Sequence, residues 1–207
     1  MWNWDKLHVA LDSNAGIDGG NPASKYWFIG LEYGKRDGNE NAPGNWWDWQ
    51  DKYYPKIRQI MDAMGVDYKD AFLANLYPIR KQNTLANIDD VDCIDIDDYY
   101  AFCDLHGRKV IKDGLTQGDK KVIVCSGLQW QWSFMLQLSG GHAAEYVQTK
   151  NDPRLVEIKF TNHPHIDRLI VILHISRASL TYCDAVGKYI KLNNQGKKQI
   201  NKTTKIA

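Results

Sequence analysis

Only four cysteines occur among the 207 residues, Cys93, Cys103, Cys125 and Cys183, and no two form a Cys-x-x-Cys pair. That spacing offers neither a zinc ribbon nor an iron–sulfur ligand set, so the four read as reduced thiols, Cys125 as a buried one. No apolar run approaches the roughly 20 residues that span a bilayer, and the opening Met-Trp-Asn-Trp-Asp lacks the charged and apolar regions of a signal peptide. A cytoplasmic protein that makes no membrane contact is the expectation. No Gly-x-x-x-x-Gly-Lys-Ser/Thr loop and no Gly-x-Gly-x-x-Gly fingerprint is present, which leaves phosphate-loop and dinucleotide chemistry without support. Neither sign of charge dominates, with a net charge of +1.

That neutrality is uneven. Residues 85–105 hold seven aspartates and no Lys or Arg, whereas residues 188–207 hold six lysines and no acid. A near-neutral total can therefore conceal a basic face. The lysine-rich end reads either as a solvated terminus or as a phosphate-binding arm whose contribution to affinity falls with salt. The length suits one domain, able to bury a core without disulfides or metal staples. No repeat, low-complexity stretch or linker divides it, and we read residues 1–187 as that domain and 188–207 as a basic helix end or tail.

Short apolar runs predict strands at Tyr26–Ile29, Val122–Val124 and Leu169–Leu173, with weaker ones at Ala71–Leu76 and Leu155–Phe160. Between them, helical spacing predicts helices near Asp48–Met64, Asp97–Leu115 and Gln129–Leu138. A last helix is expected to start near Ser179, whose hydroxyl suits an N-cap, with Tyr182, Val186, Tyr189 and Ile190 on one face. Strands alternating with helices predict an α/β fold, a three-layer αβα sandwich around a mainly parallel sheet. Ser13–Ser24, Gly34–Asn45 and Asn162–Asp167 read as loops.

Two of the strands deliver short polar motifs about 140 residues apart. Lys25–Gly30 leads into Gly30-Leu31-Glu32-Tyr33-Gly34, and Leu169–His174 leads into His174-Ile175-Ser176-Arg177-Ala178-Ser179. In an open α/β sheet side chains at the carboxyl ends of strands converge on one crevice, so Glu32 and His174 are expected to face a single ligand. The first motif resembles the water-activating Gly-Gln-Asp-Pro-Tyr segment of the uracil-DNA glycosylase superfamily, with Glu32 on the catalytic carboxylate. The second resembles its His-Pro-Ser-Pro-Leu-Ser loop, keeping His174, Ser176 and Ser179 in step. Phe72-Leu73-Ala74-Asn75 is similar to its Leu-Leu-Leu-Asn strand end and puts Asn75 on the base-reading asparagine. The resemblance spans roughly residues 25–180, and it is to a branch without an iron–sulfur cluster.

The resemblance implies a glycosylase-like fold and a monomeric enzyme acting on DNA with no metal or organic cofactor. Glu32 would stabilise an oxocarbenium-like sugar and orient water, and His174 would donate to the departing base. Asn75, able to donate and accept, would read a flipped pyrimidine, with Tyr33 and Gly34 beside it. Gly34 stands where uracil-selective relatives have a tyrosine that blocks C5, so a C5-modified pyrimidine is expected to fit as well as uracil. Trp46 and Trp47 offer stacking faces, or else pack beneath the first long helix. Ser176, Arg177 and Ser179 would contact phosphates. Ala178 stands where family members push a leucine into the duplex, which shifts that task to Arg177 or Leu180. His163, His165 and Asp167 have metal-ligand chemistry, but a loop between two strands accounts for them more simply. The resulting expectation is excision of uracil or a C5-modified pyrimidine, in base-excision repair or in defence against modified foreign DNA. The alternatives are a catalytically inactive module of the same fold that binds nucleic acid or protein, and a small-molecule hydrolase acting on a free nucleoside.

Overall fold

The computed structural model describes residues 19–32, 53–77, 111–127, 144–149 and 153–203. Seven strands form one mixed sheet: β1 (Gly19–Gly20), β2 (Tyr26–Glu32), β3 (Ala71–Tyr77), β4 (Lys121–Ser126), β5 (Ala144–Thr149), β6 (Leu155–Phe160) and β7 (Ile166–Ile172). Two long helices are described, α1 (Tyr54–Met64) and α2 (Leu180–Thr203), together with a helical turn at residues 111–115. The strand order is β1-β3-β2-β4-β7-β6-β5.

The four central strands, β3-β2-β4-β7, are parallel. β4 is buried from Lys121 to Cys125, and β7 is buried at every position but Asp167. Strands covered on both sides need apolar side chains at successive positions, which is why Val-Ile-Val and Leu-Ile-Val-Ile are unbroken runs. Alternate residues then feed opposite faces. Phe28, Leu73, Val122, Val124, Ile170 and Ile172 pack under α1 and α2, against Ile60, Met61, Met64, Cys183, Val186 and Ile190. Trp27, Ile29, Phe72, Ile123, Cys125, Leu169 and Val171 form the other cluster with Ile111 and Leu115.

The expected mainly parallel sheet is found only in this core. β1 pairs antiparallel with β3, and β5 and β6 continue the sheet antiparallel beyond β7. The cause is connection length: five residues, 161–165, join β6 to β7, and a parallel return requires a crossover of a dozen or more. β5 carries no apolar signal because it is exposed at Glu145, Tyr146 and Gln148. β1 arises within the expected Ser13–Ser24 loop. β7 begins three residues before its apolar run because Arg168, fully buried, is paired with the equally buried Glu157 on β6 at 3.0 Å.

The last helix starts at Leu180, and its cap is Ser179, whose Oγ accepts from the Tyr182 backbone N–H at 3.0 Å. Tyr182, Val186 and Ile190 are buried and Tyr189 is half-buried on its inner face. α1 and α2 meet so closely at Gly187 that a Cβ there would overlap the Ile60 carbonyl oxygen and lie 2.6 Å from the Ala63 Cβ. Of the predicted helices, 54–64 of the first and 111–115 of the second are observed; positions 48–52 and 97–110 of these two, and all of Gln129–Leu138, lie outside the described residues.

Candidate active site at the carboxyl ends of the parallel strands

The chain runs from β2 to β3 on one side, then crosses to β4 on the other. In open α/β sheets a reversal of this kind lies at the carboxyl ends of the flanking strands, here β2 and β4, which is the position where such sheets bind ligands. Register fixes the heights of the residues around it. Ile29 pairs with Cys125, and Cys125 with Val171, so these three form one rung across β2, β4 and β7. Glu32, the last residue of β2, and His174, two residues past the end of β7, each lie three positions along the chain from that rung. With β4 between them, two interstrand spacings separate their strands by about 10 Å. Asn75 pairs with Gly30 on β3, and Ser126 pairs with Ile172 on β4, both one residue beyond the rung. Backbone register thus brings Glu32, Asn75, Ser126 and His174 to one end of the sheet.

His174 is the most fully defined of these side chains. Its Nδ1 lies 2.6 Å from Ser176 Oγ and accepts the Ser176 backbone N–H at 3.3 Å. A backbone amide can only donate, so this contact casts Nδ1 as the acceptor, which in a neutral imidazole assigns the ring proton to Nε2. The half-buried ring is therefore set as a hydrogen-bond donor through Nε2.

The turn after it is anchored by three elements. Ser126 Oγ, at the end of β4, accepts from Ile175 N at 2.8 Å. Lys56 Nζ, on α1, donates to the carbonyl oxygens of Ile175 at 2.8 Å and Ser176 at 3.0 Å. Tyr182 Oη, on α2, accepts from Leu173 N at 3.0 Å and donates to Arg154 O at 2.7 Å. The turn closes on itself, with His174 O accepting from the N–H groups of Arg177 and Ala178. Gly127, at φ +120°, leads the chain away from β4 while its N–H donates to Ile172 O at 3.2 Å.

Sequence reasoning missed Lys56, Ser126 and Tyr182 as supports of the turn. Ser126 was legible, since it closes a strand as Glu32 does. Tyr182 was read for its apolar ring alone. Nothing in the spacing of Lys56, between Tyr53 and Ile57 on an amphipathic helix, marks it.

Arg177 and Ser179 are exposed and Ser176 is half-buried. Ser179 Oγ accepts a helix N–H, which leaves its own hydroxyl proton to donate. Ala178 is 3% exposed and belongs to the core beneath α1 and α2, whereas Leu180 is 53% exposed. Tyr33, Gly34, Trp46 and Trp47 lie outside the described residues, as do Cys93 and Cys103. Cys125 and Cys183 are free, buried thiols whose pKa values are pushed up by burial, that of Cys183 to about 11. The His163–Asp167 segment has a structural role: His163 is 4% exposed, and its Nδ1 accepts the N–H groups of His165 at 3.0 Å and Ile166 at 2.9 Å. Among the described residues no helix is long and apolar enough to cross a membrane. No protein-family model matches the chain, and no curated protein is significantly similar to it.

Proposed function

We propose that this protein is a DNA glycosylase that extrudes a uracil or C5-modified pyrimidine and hydrolyses its N-glycosidic bond, on a three-layer αβα scaffold of the uracil-DNA glycosylase type. The feature that supports the reading is the arrival of Glu32, Asn75 and His174 at one end of the sheet, on β2, on β3 and in the turn after β7, with His174 Nδ1 accepting the Ser176 N–H. A carboxylate and a neutral donor about two strands apart bracket the two charges that develop when the bond breaks. In this reaction Glu32 stabilises the cationic sugar and orients the water whose oxygen adds to C1′. His174 Nε2–H donates to the base oxygen as negative charge builds there, and the base leaves and takes up a proton. Asn75, one strand over from Glu32, reads the extruded base. Neither a metal nor an organic cofactor has a step in this scheme.

DNA is the substrate this reading requires. Ser176, Arg177 and the hydroxyl of Ser179 lie beside His174 and are suited to backbone phosphates. With Ala178 in the core, the vacated base stack would be filled by exposed Arg177 or Leu180.

The test is release of free base and of alkali-labile abasic sites from oligonucleotides and genomic DNAs carrying uracil or bulky modified pyrimidines. Release by the wild type, lowered at least about 100-fold in Glu32→Gln, is expected. Full activity in Glu32→Gln would remove the mechanism. DNA binding without release from any substrate would leave a binding module in its place.

A further inference from the structure

We propose that Lys56 is the positioning residue that sets the protonation pattern of the His174 ring, acting through the Ser176 peptide rather than by touching substrate. The inference rests on the glycosylase reading for its functional consequence, but its physical basis is independent of that reading. Lys56 Nζ holds the carbonyl oxygens of Ile175 and Ser176, the two residues that follow His174. The same Ser176 presents its N–H and its hydroxyl to His174 Nδ1. Fixing the Ile175–Ser176–Arg177 peptides thus fixes the donor that makes Nδ1 an acceptor, which in turn commits the ring proton to Nε2. No other side chain has a described hydrogen bond to either of these carbonyls. Ser126 grips the Ile175 N–H instead, so the two supports constrain opposite edges of one peptide chain.

The position of Lys56 in the fold gives it a second consequence. It sits in the first turn of α1, the helix that follows the segment leading out of Glu32. Its ammonium therefore ties α1 to the turn after β7 across 119 residues of chain. A neutral replacement of the same length leaves two carbonyl oxygens without their donor and frees the turn to rotate. The imidazole is then able to populate both tautomers, only one of which aims a proton from Nε2.

The decisive measurement is two-bond 15N–1H correlation on protein labelled at its six histidines, with the His174 signals assigned from a His174→Gln variant. At neutral pH the wild type is expected to show His174 as a single Nε2–H tautomer. Lys56→Met is expected to show averaged signals of two tautomers, while Lys69→Met, at an exposed lysine of the 310 turn at Tyr68–Asp70, stays like the wild type. In base-release assays Lys56→Met should lower kcat by roughly tenfold to a hundredfold, as expected of a misaimed group, with KM within about threefold. An unchanged tautomer pattern and kcat in Lys56→Met would overturn the inference, as would an equal change in Lys69→Met. A wild-type ring protonated at Nδ1 would overturn it without any variant, so a Lys56→Met protein that failed to fold would not protect it. A tautomer shift in Lys56→Met with no base released by the wild type would uphold the positioning role and sink the glycosylase reading alone.

Discussion

Gly187→Ala separates two effects of opposite sign. Glycine inside an α-helix costs about 1 kcal/mol relative to alanine, so helix propensity alone predicts a stabilised variant. The packing predicts the reverse. The new methyl overlaps the Ile60 carbonyl oxygen and sits 2.6 Å from the Ala63 Cβ, and the first of these is backbone in the middle of α1 that cannot swing aside. Overpacking of this kind costs about 1–3 kcal/mol, and the rigid backbone partner argues for the upper part of that range. The net expectation is a loss of about 1–2 kcal/mol. For a chain of 150–250 residues each kcal/mol lowers Tm by about 2–4 °C, which gives a drop of about 2–8 °C in a calorimetric or circular-dichroism melt. A Tm equal to or above that of the wild type would refute the close approach of α1 and α2. Because α1 carries Lys56, the same substitution is expected to disturb the His174 turn as well.

Two further perturbations probe the buried polar groups. Arg168→Met takes from the buried Glu157 its 3.0 Å partner, leaving it Lys159 at 3.7 Å and the Tyr189 hydroxyl, and removes the donor to Asn194 Oδ1; it should cost up to about 3–5 kcal/mol in urea unfolding. Arg168→Met with Glu157→Gln should lose markedly less than the sum of the single changes, and strict additivity would mean that the pair is not coupled. Alkaline pH tests the Cys183 thiol, raised from 9.0 to about 11 by burial. Between those values the unfolded state has released the proton that the folded state retains, so stability is full below pH 9 and falls as pH rises toward 11. Comparison of urea midpoints at pH 8 and 10.5 should show a smaller fall in Cys183→Ala than in the wild type, and equal falls would contradict the burial.

Much of the scaffold was legible because the signal is local. The unbroken apolar runs of β4 and β7 can exist only in strands covered on both faces, and the spacing of Ile57, Ile60, Met61 and Met64 gives α1 its inward face. Ser179 was readable as a cap because a hydroxyl just before a periodic segment has one economical use. The edge of the sheet was not readable. β5 shows no alternation that sets it apart from a loop, and Asp167 and Arg168 look like loop residues until Glu157 is brought alongside.

The candidate site divides in the same way. Sequence by itself placed Glu32, Asn75 and His174 at or near the carboxyl ends of apolar runs, and the structure ends β2 at Glu32, carries β3 two residues past Asn75 and ends β7 two residues before His174. It also determined which side chains are chemically able to act. Tertiary structure decided the rest: that the strands leading to Glu32, Ser126 and His174 run parallel and end on one side of the sheet, that Ala178 belongs to the core, and that Lys56 and Ser126 hold the turn after His174. The physical reason is that strand order, register and hydrogen bonds between elements arise from contacts across 49 to 120 residues of chain, for which no local pattern carries a signal.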